Sequence, residues 1–166
     1  FDDPHSLGNV LAEYVDEGGR VIMFQGTFSY GGDWMLGGSI NEVGYNPLAS
    51  NYYTTGSMTN TEDIYPHYLT EGVYNLSTYI FSYSNTQGNG VSIGMWPGDY
   101  SLGAYSADKK IVALNLFTDD MGFPGALFGD GYGGDYVQLT NNTISWLLDD
   151  CFVIGPDADC AGECFG

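Results

Sequence analysis

The sequence predicts an α/β fold, and three observations carry that expectation. Residues 7–24 read as a helix, a sharp stop and a buried strand. Residues 111–117, Ile-Val-Ala-Leu-Asn-Leu-Phe, form a strand apolar enough to sit centrally in a sheet. Residues 136–148 show the stripe of a closing helix. Helical and strand periods alternating along one chain are the pattern of layered α/β proteins.

In the first segment Leu7, Val10, Leu11, Tyr14 and Val15 recur at the spacing of one helical face. Asp3 supplies an N-cap, Pro4 a first-turn proline, and Gly18-Gly19 the stop. Val21-Ile22-Met23-Phe24 is a short unbroken apolar run, as expected of a strand covered on both faces. A helix leading straight into such a strand is half of a β-α-β crossover, in which another strand comes first. Only six residues precede Leu7. The sheet is therefore expected to be incomplete on its N-terminal side, with one edge unpaired.

A long irregular segment, Gly26 to His67, follows; its Gly31-Gly32, Gly37-Gly38, Asn46-Pro47 and Tyr52-Tyr53 pairs signal turns plugged by aromatic rings. It reads as a functional loop or a packed cap over the sheet. From Tyr68 the pattern turns to β. Ser77 to Tyr83 is β-branched and aromatic, Val91 to Trp96 alternates, and Pro97-Gly98-Asp99 is a turn. Leu102–Ser106 and Ile111–Phe117 read as a hairpin across Ala107–Lys110. A loop rich in Gly, Asp and Phe runs from Thr118 to Asp135. The closing helix, Tyr136 to Leu148, carries Tyr136, Leu139, Thr143, Ile144 and Leu147 as its stripe, with Trp146 and Leu148 beside it. Two parts are expected: a domain over 1–149 and a Cys-containing tail or linker over 150–166.

The length of 166 residues with 43% apolar content suits one domain with a sizeable core. The charge is extreme: 21 acidic residues face only Arg20, Lys109 and Lys110, for a net charge of −18. Neutralising phosphates needs Lys/Arg clusters, so nucleic-acid binding is excluded, and anionic membrane surfaces are disfavoured for the same reason. No apolar run is long enough to insert into a membrane. Such a chain repels itself unless salt or divalent cations screen it. Its acidity reads either as a solvated surface suited to a saline or cold environment, or as a substrate for calcium bridging. Cys151, Cys160 and Cys164 cluster at the end of the chain, where they can staple a tail but cannot build a core. Asn75-Leu76-Ser77 and Asn141-Asn142-Thr143 are glycosylation sequons. With abundant Tyr and Gly and scarce Lys, these features predict an extracellular or cell-surface protein.

The run 11–24, Leu-Ala-Glu-Tyr-Val-Asp-Glu-Gly-Gly-Arg-Val-Ile-Met-Phe, resembles the helix–Gly-Gly–strand of the ThuA-like (trehalose-utilisation) family, which has a class I glutamine-amidotransferase-like fold. Residues 111–117 and 143–148 resemble that family's last core strand and closing helix. Pro66-His67 with Gly72-Val73 resembles its His-Pro…Gly-Val turn, with His and Pro exchanged. The resemblance implies a flavodoxin-like (amidotransferase-like) sheet with flanking helices, incomplete at the N-terminus and with an added β-hairpin region. ThuA-like proteins often carry a histidine just past the first strand quoted, and amidotransferases carry their nucleophilic cysteine nearby. This chain has Gln25 there, so the resemblance carries the fold and argues against the family's catalysis. The segment 157–166 resembles the Asp-Cys-Ala-Gly-x-Cys-Gly-Gly linker repeats of secreted, surface-attached bacterial proteins. That likeness favours a Cys160–Cys164 loop with Cys151 as a free thiol or a bond to another chain; a bond from Cys151 to one tail cysteine is equally open.

Nucleophilic catalysis needs a Ser or Cys with a base in reach. The cysteines all lie in the tail, and His5 and His67 sit in a first helical turn and beside a proline, where both read as structural or solvent-exposed. The pairs Asp2-Asp3, Glu62-Asp63, Asp119-Asp120 and Asp149-Asp150 could in principle act in a glycosidase-like hydrolysis, although adjacent carboxylates at element ends are the ordinary pattern of solvated charge. No cofactor is implied. Calcium is the metal that the residues suit best, through Asp130 and Asp135 in the Gly-rich loop and Asp157 and Asp159 in the tail, with flexible acidic turns as the alternative. Aromatic rings at Trp34, Trp96 and Tyr100, with Tyr45, Tyr52, Tyr53 and Tyr105, could stack on sugars or plug loops. Three functions follow. The first is a non-catalytic extracellular structural module that self-associates through the unpaired sheet edge, as a filament or surface-layer subunit. The second is a carbohydrate-binding or scaffold domain of a larger secreted protein, with glycans as partners. The third is a carboxylate-dependent hydrolase.

Overall fold

A proline in the first turn and an aspartate before it start the first helix, α1, Pro4–Asp16. The computed structural model describes residues 2–29, 35–49, 51, 59–78, 80–108, 110–116 and 132–148. The Asp3 carboxylate accepts the Ser6 amide at 2.9 Å and the Ser6 hydroxyl at 2.6 Å, and these bonds hold its pKa below the usual carboxylate value. Gly18, at φ 96°, turns the chain out of the helix. Strand β1, Val21–Phe24, follows, and runs directly into a single turn of helix, α2, Gln25–Phe28. The long segment after it holds a 3-10 turn, Ser39–Asn41, and two short strands, β2 (Thr59–Asn60) and β3 (Asp63–Ile64). A second 3-10 turn, Tyr68–Thr70, precedes β4 (Leu76–Thr78), β5 (Val91–Trp96), β6 (Tyr100–Tyr105), β7 (Ile111–Leu114), β8 (Tyr132–Gly134) and the helix α3, Tyr136–Leu148.

The protein is mixed α/β. Five strands form one sheet in the order β1-β7-β6-β5-β3, and β2-β4-β8 form a second, smaller sheet. β1 pairs β7 in parallel, Val21 opposite Ile111 and Phe24 opposite Leu114. The other pairings in the large sheet are antiparallel, with β5 and β6 joined across the Pro97–Asp99 turn. Strand alternation divides the core into two layers. Met23, Ile111 and Ala113 join Val15 of α1 and Phe28, Ile40 and Leu48 on one face. Val112 and Leu114 join Leu139, Trp146 and Leu147 of α3 on the other, with Ile22 and Phe24 packed against them. Two register shifts between β5 and β6 accompany the placement of Ile93 and Leu102, both fully buried, in this second layer. Among the described residues no helix is long and apolar enough to cross a membrane.

The two long helices and the central strand β7 lie where the sequence predicts. Three expectations need correction. The buried residues of α1 are Gly8, Ala12 and Val15, whereas Val10 is 58% and Tyr14 52% exposed. Small residues set this rotation, because a Cβ on Gly8 would collide with the Gly37 carbonyl. The strand expected over Ser77–Tyr83 ends at Thr78. The Thr78 hydroxyl donates to the Ile80 carbonyl at 3.0 Å, and the Ser82 amide goes to the Asn115 side chain at 2.8 Å, so backbone groups that would extend a ladder are taken by side chains. Lastly, β8 lies within the stretch expected to be loop, paired to β4 with Gly134 against the Asn75 carbonyl, where no larger residue fits.

Candidate functional site

The Val21 amide donates to the Lys110 carbonyl at 2.9 Å, and the Gln25 amide to Leu116 at 3.3 Å. In a parallel ladder alternate residues face the partner strand, so Ile22 and Phe24 turn their N–H and C=O groups away from β7. The Phe24 carbonyl accepts from the Thr27 hydroxyl at 2.7 Å. The rest of this edge pairs with no strand among the described residues. It carries no charge, proline or bulge, the devices that commonly blunt an exposed edge.

α1 packs on one face of this sheet and α3 on the other. On α1, Asn9 and Asp16 bind the 36–46 segment: the Asn9 carboxamide oxygen accepts the Ser39 amide at 2.9 Å, and the Tyr45 hydroxyl donates to Asp16 at 2.8 Å. That hydrogen bond raises the pKa of Tyr45. A cleft of about 250 Å³ continues the flank to Ser106, Asp108 and Lys110 of the β6–β7 connection. This flank therefore meets the β6–β7 connection, while Val10 and Tyr14 are exposed on the part of α1 turned away from buried Gly8, Ala12 and Val15. On α3 the Asn142 amide donates to the Leu69 and Glu71 carbonyls at 3.1 and 2.8 Å. The same turn carries His67, stacked on Tyr105 of β6 at 4.7 Å. Val137, Ile144 and Leu148, at 63, 43 and 72% exposure, lie on the part of α3 turned away from buried Leu139 and Thr143. Arg20, just before β1, donates to the Leu147 carbonyl and ties the end of α3 to this edge.

Gln25 is fully buried at the end of β1, with its Nε2 3.5 Å from the Ser29 hydroxyl and its Oε1 without a hydrogen-bond partner. Beyond β7, fully buried Asn115 accepts the Ser82 amide and hydroxyl and donates to the Ser82 and Ser101 carbonyls, all at 2.8 Å. Its own carbonyl accepts from Trp96 Nε1 at 2.9 Å. Such a satisfied network fixes loops against the sheet.

Trp96 is thereby corrected as a sugar contact: it is fully buried, stacked on Phe81 at 5.1 Å, because its indole N–H finds a partner only in the core. Tyr100 is half-buried, with one ring face stacked on Tyr83 at 4.7 Å, and Gly98 abuts the ring. The ring that sequence reading missed is Tyr83, 38% exposed. Trp34, Tyr52 and Tyr53 lie outside the described residues. So do Asp130, Asp157 and Asp159 of the calcium set, and Cys151, Cys160 and Cys164. Asp135 is at the entrance to α3, where its carboxylate accepts the Tyr74 and Asn75 amides at 2.8 and 3.2 Å. Among the described residues no three His, Cys, Asp or Glu side chains stand close enough to hold a metal ion together. Asn75 and Asn141 are both exposed, before β4 and on α3. Asp3 caps α1, and Glu62 and Asp63 are exposed at β3.

His5 is exposed on α1. His67 is structural: Nδ1 accepts the Leu69 amide at 3.1 Å, the ring meets Trp146 edge-on at 5.9 Å, and burial lowers its pKa. What the sequence signalled only faintly is the exposure of apolar residues on each long helix. Val10 and Tyr14 were readable as part of a stripe, but that stripe points to the core rather than along the sheet. No family model, curated protein or solved structure matches the chain.

Proposed function

We propose that this chain is a non-catalytic structural module of the extracellular space or cell surface, which builds assemblies by pairing the open edge of β1. One observation carries the reading: among the described residues no strand pairs the outer edge of β1, which carries no charge in a chain whose net charge is −18. An uncharged edge on an otherwise acidic molecule marks a side where association costs less in repulsion. Salt or calcium, bound by carboxylates elsewhere, would screen what repulsion remains. Exposed Asn75 and Asn141 suit glycans at the surface, and the tail cysteines suit a covalent link between neighbours. The parallel β1–β7 pair, with α1 and α3 on opposite faces, is the part of the sheet that fits the finer flavodoxin-like reading, and the antiparallel β5, β6 and β3 are added to it. The carbohydrate-binding alternative now rests on Tyr83 and its stacked neighbour Tyr100.

Sedimentation of the full chain, reduced and unreduced, with and without calcium, tests the proposal. Species larger than the monomer are expected under reducing conditions at moderate salt. Monomers alone under every condition would end the proposal.

A further inference from the structure

We propose that the turn Tyr68–Thr70 is an acid-sensitive latch on α3: neutral His67 holds it shut, and protonation of the ring at Nδ1 lets the turn and α3 open while the large sheet stays folded. The device is independent of how copies of the chain associate. It has two joined parts. His67 Nδ1 accepts the Leu69 amide at 3.1 Å, and the Thr70 hydroxyl oxygen accepts the His67 amide at 3.0 Å, a reciprocal box that fixes the turn. The turn in turn holds α3, because the Leu69 and Glu71 carbonyls both accept from Asn142 Nδ2, and fully buried Leu69 shares a core layer with Leu139, Trp146 and Leu147. The second part is the imidazole itself. One ring face stacks on Tyr105 of β6 at 4.7 Å, and Trp146 of α3 meets His67 edge-on at 5.9 Å and Tyr105 at 5.1 Å. One side chain thus sets the turn that grips α3 and also lies against the helix.

A neutral imidazole whose Nδ1 accepts a hydrogen bond carries its proton on Nε2, and the charged ring carries N–H at both nitrogens. Protonation therefore replaces the acceptor by a donor aimed at another donor, the Leu69 N–H. Rotation of the ring would relieve the conflict, but Tyr105 covers its face and Trp146 stands at its side. The face of Tyr105 attracts a charged ring, yet it does so in the same orientation and leaves the two donors opposed. What can yield is the box. The titratable groups of the packed elements are Tyr68 and Glu71 on the turn, Tyr100 and Tyr105 on β6, and Asp135 and Tyr136 at the start of α3. None of them holds the ring charged, for burial alone acts on His67 and lowers its pKa. Two ties to α3 stay out of the ring's reach: the Asp135 carboxylate accepts the Tyr74 and Asn75 amides, and Arg20 donates to the Leu147 carbonyl. They keep the opened helix attached to the molecule. Once open, the ring titrates near the ordinary value of about 6.5, so each fall in pH below it favours the open form until the closed form also takes up the proton.

Amide hydrogen exchange of the full reduced chain, read by NMR from pH 7.5 to 5.5 and corrected for the intrinsic pH dependence of exchange, tests this in wild type and His67→Gln. Glutamine can offer Oε1 to the Leu69 amide but does not titrate. In wild type the opening constants at Leu69, Asn142 and Trp146 should rise about three- to tenfold over that range, while those at Val112 and Leu114 of β7 hold steady. In His67→Gln the rise should be absent. Equal rises in α3 and β7 would overturn the latch in favour of unfolding of the whole chain. A rise that His67→Gln shares would assign the effect to carboxylates and overturn it too, as would no rise in wild type. If His67→Gln does not fold, the Leu69 amide shift in wild type decides: it should move with the titration of the His67 ring, and a Leu69 signal that stays in place while the ring titrates would overturn the proposal.

Discussion

Replacing Asn115 with alanine should destabilise the fold by about 3–5 kcal/mol. The side chain makes four hydrogen bonds of 2.8 Å, to the Ser82 amide, hydroxyl and carbonyl and to the Ser101 carbonyl. After truncation the Ser82 hydroxyl still has Ser84 Oγ at 2.8 Å, so it loses little. The Ser82 amide and the two carbonyls stay buried beside a site with no partner. A buried group left unpaired costs about 1–3 kcal/mol, more for the amide than for carbonyls that have a second lone pair. In a domain of this size that loss corresponds to a fall in Tm of about 10 °C. Urea unfolding followed by tryptophan fluorescence measures it, since Trp96 reports on the Asn115 backbone directly. Asn115→Asp is the sharper comparison. It keeps the acceptor for Ser82 and sets carboxylate oxygen against two carbonyls, so it should be at least as destabilised at neutral pH. It should recover relative to wild type on acidification, when the protonated acid can donate to one of them. A loss below about 1 kcal/mol in Asn115→Ala would refute the argument that this network fixes the 82–84 segment to the sheet.

Gly8→Ala should be strongly destabilising, by about 2 kcal/mol or more, because the new methyl meets the Gly37 backbone and not a side chain that can turn away; unchanged thermal stability would mean that α1 can ride off the 36–46 segment freely. His67 sets a pH dependence. Its pKa is lowered in the fold by burial, so the folded state holds fewer protons than the unfolded. Its contribution is complete above the ordinary histidine pKa near 6.5 and declines as the pH falls from there toward the folded value. The difference in urea midpoint between wild type and His67→Gln, measured from pH 8 to 5, isolates this group from the carboxylates. The difference should shrink on acidification, and a flat difference would sink the assignment.

Much of the architecture was legible because local and global signals agree in it. Asp3 and Pro4 bracket the start of α1 chemically, and α3 has a stripe unbroken by Gly or Pro, so both helices could be read directly. Ile111–Leu114 is apolar at every position because it is buried on both faces between β1 and β6. The misreadings share a cause. The burial of Trp96 and the end of β4 at Thr78 are set by bonds between side chain and backbone, from Trp96 and Ser82 to Asn115 and from Thr78 to nearby Ile80, and no periodicity records those. The exposed apolar residues of α1 escaped notice for another reason. Val10 and Tyr14 fit an inward stripe equally well until Gly8 and Ala12, which add little to an apolar pattern, are seen to decide which way the helix faces.

The parallel register of β1 on β7 joins segments far apart along the chain, Val21 and Ile111. Strands β5, β6 and β7 follow one another through short connections, so their pairings close small loops and can form early at little entropic cost. Docking of β1 closes the longest loop in the sheet and gains its reward only once the meander exists. Until then the exposed border of the growing sheet is β7, all four residues apolar, and α1 with β1 acts as its lid. The strand that ends as the outermost described member of the large sheet thus begins as the cover for a more hydrophobic one.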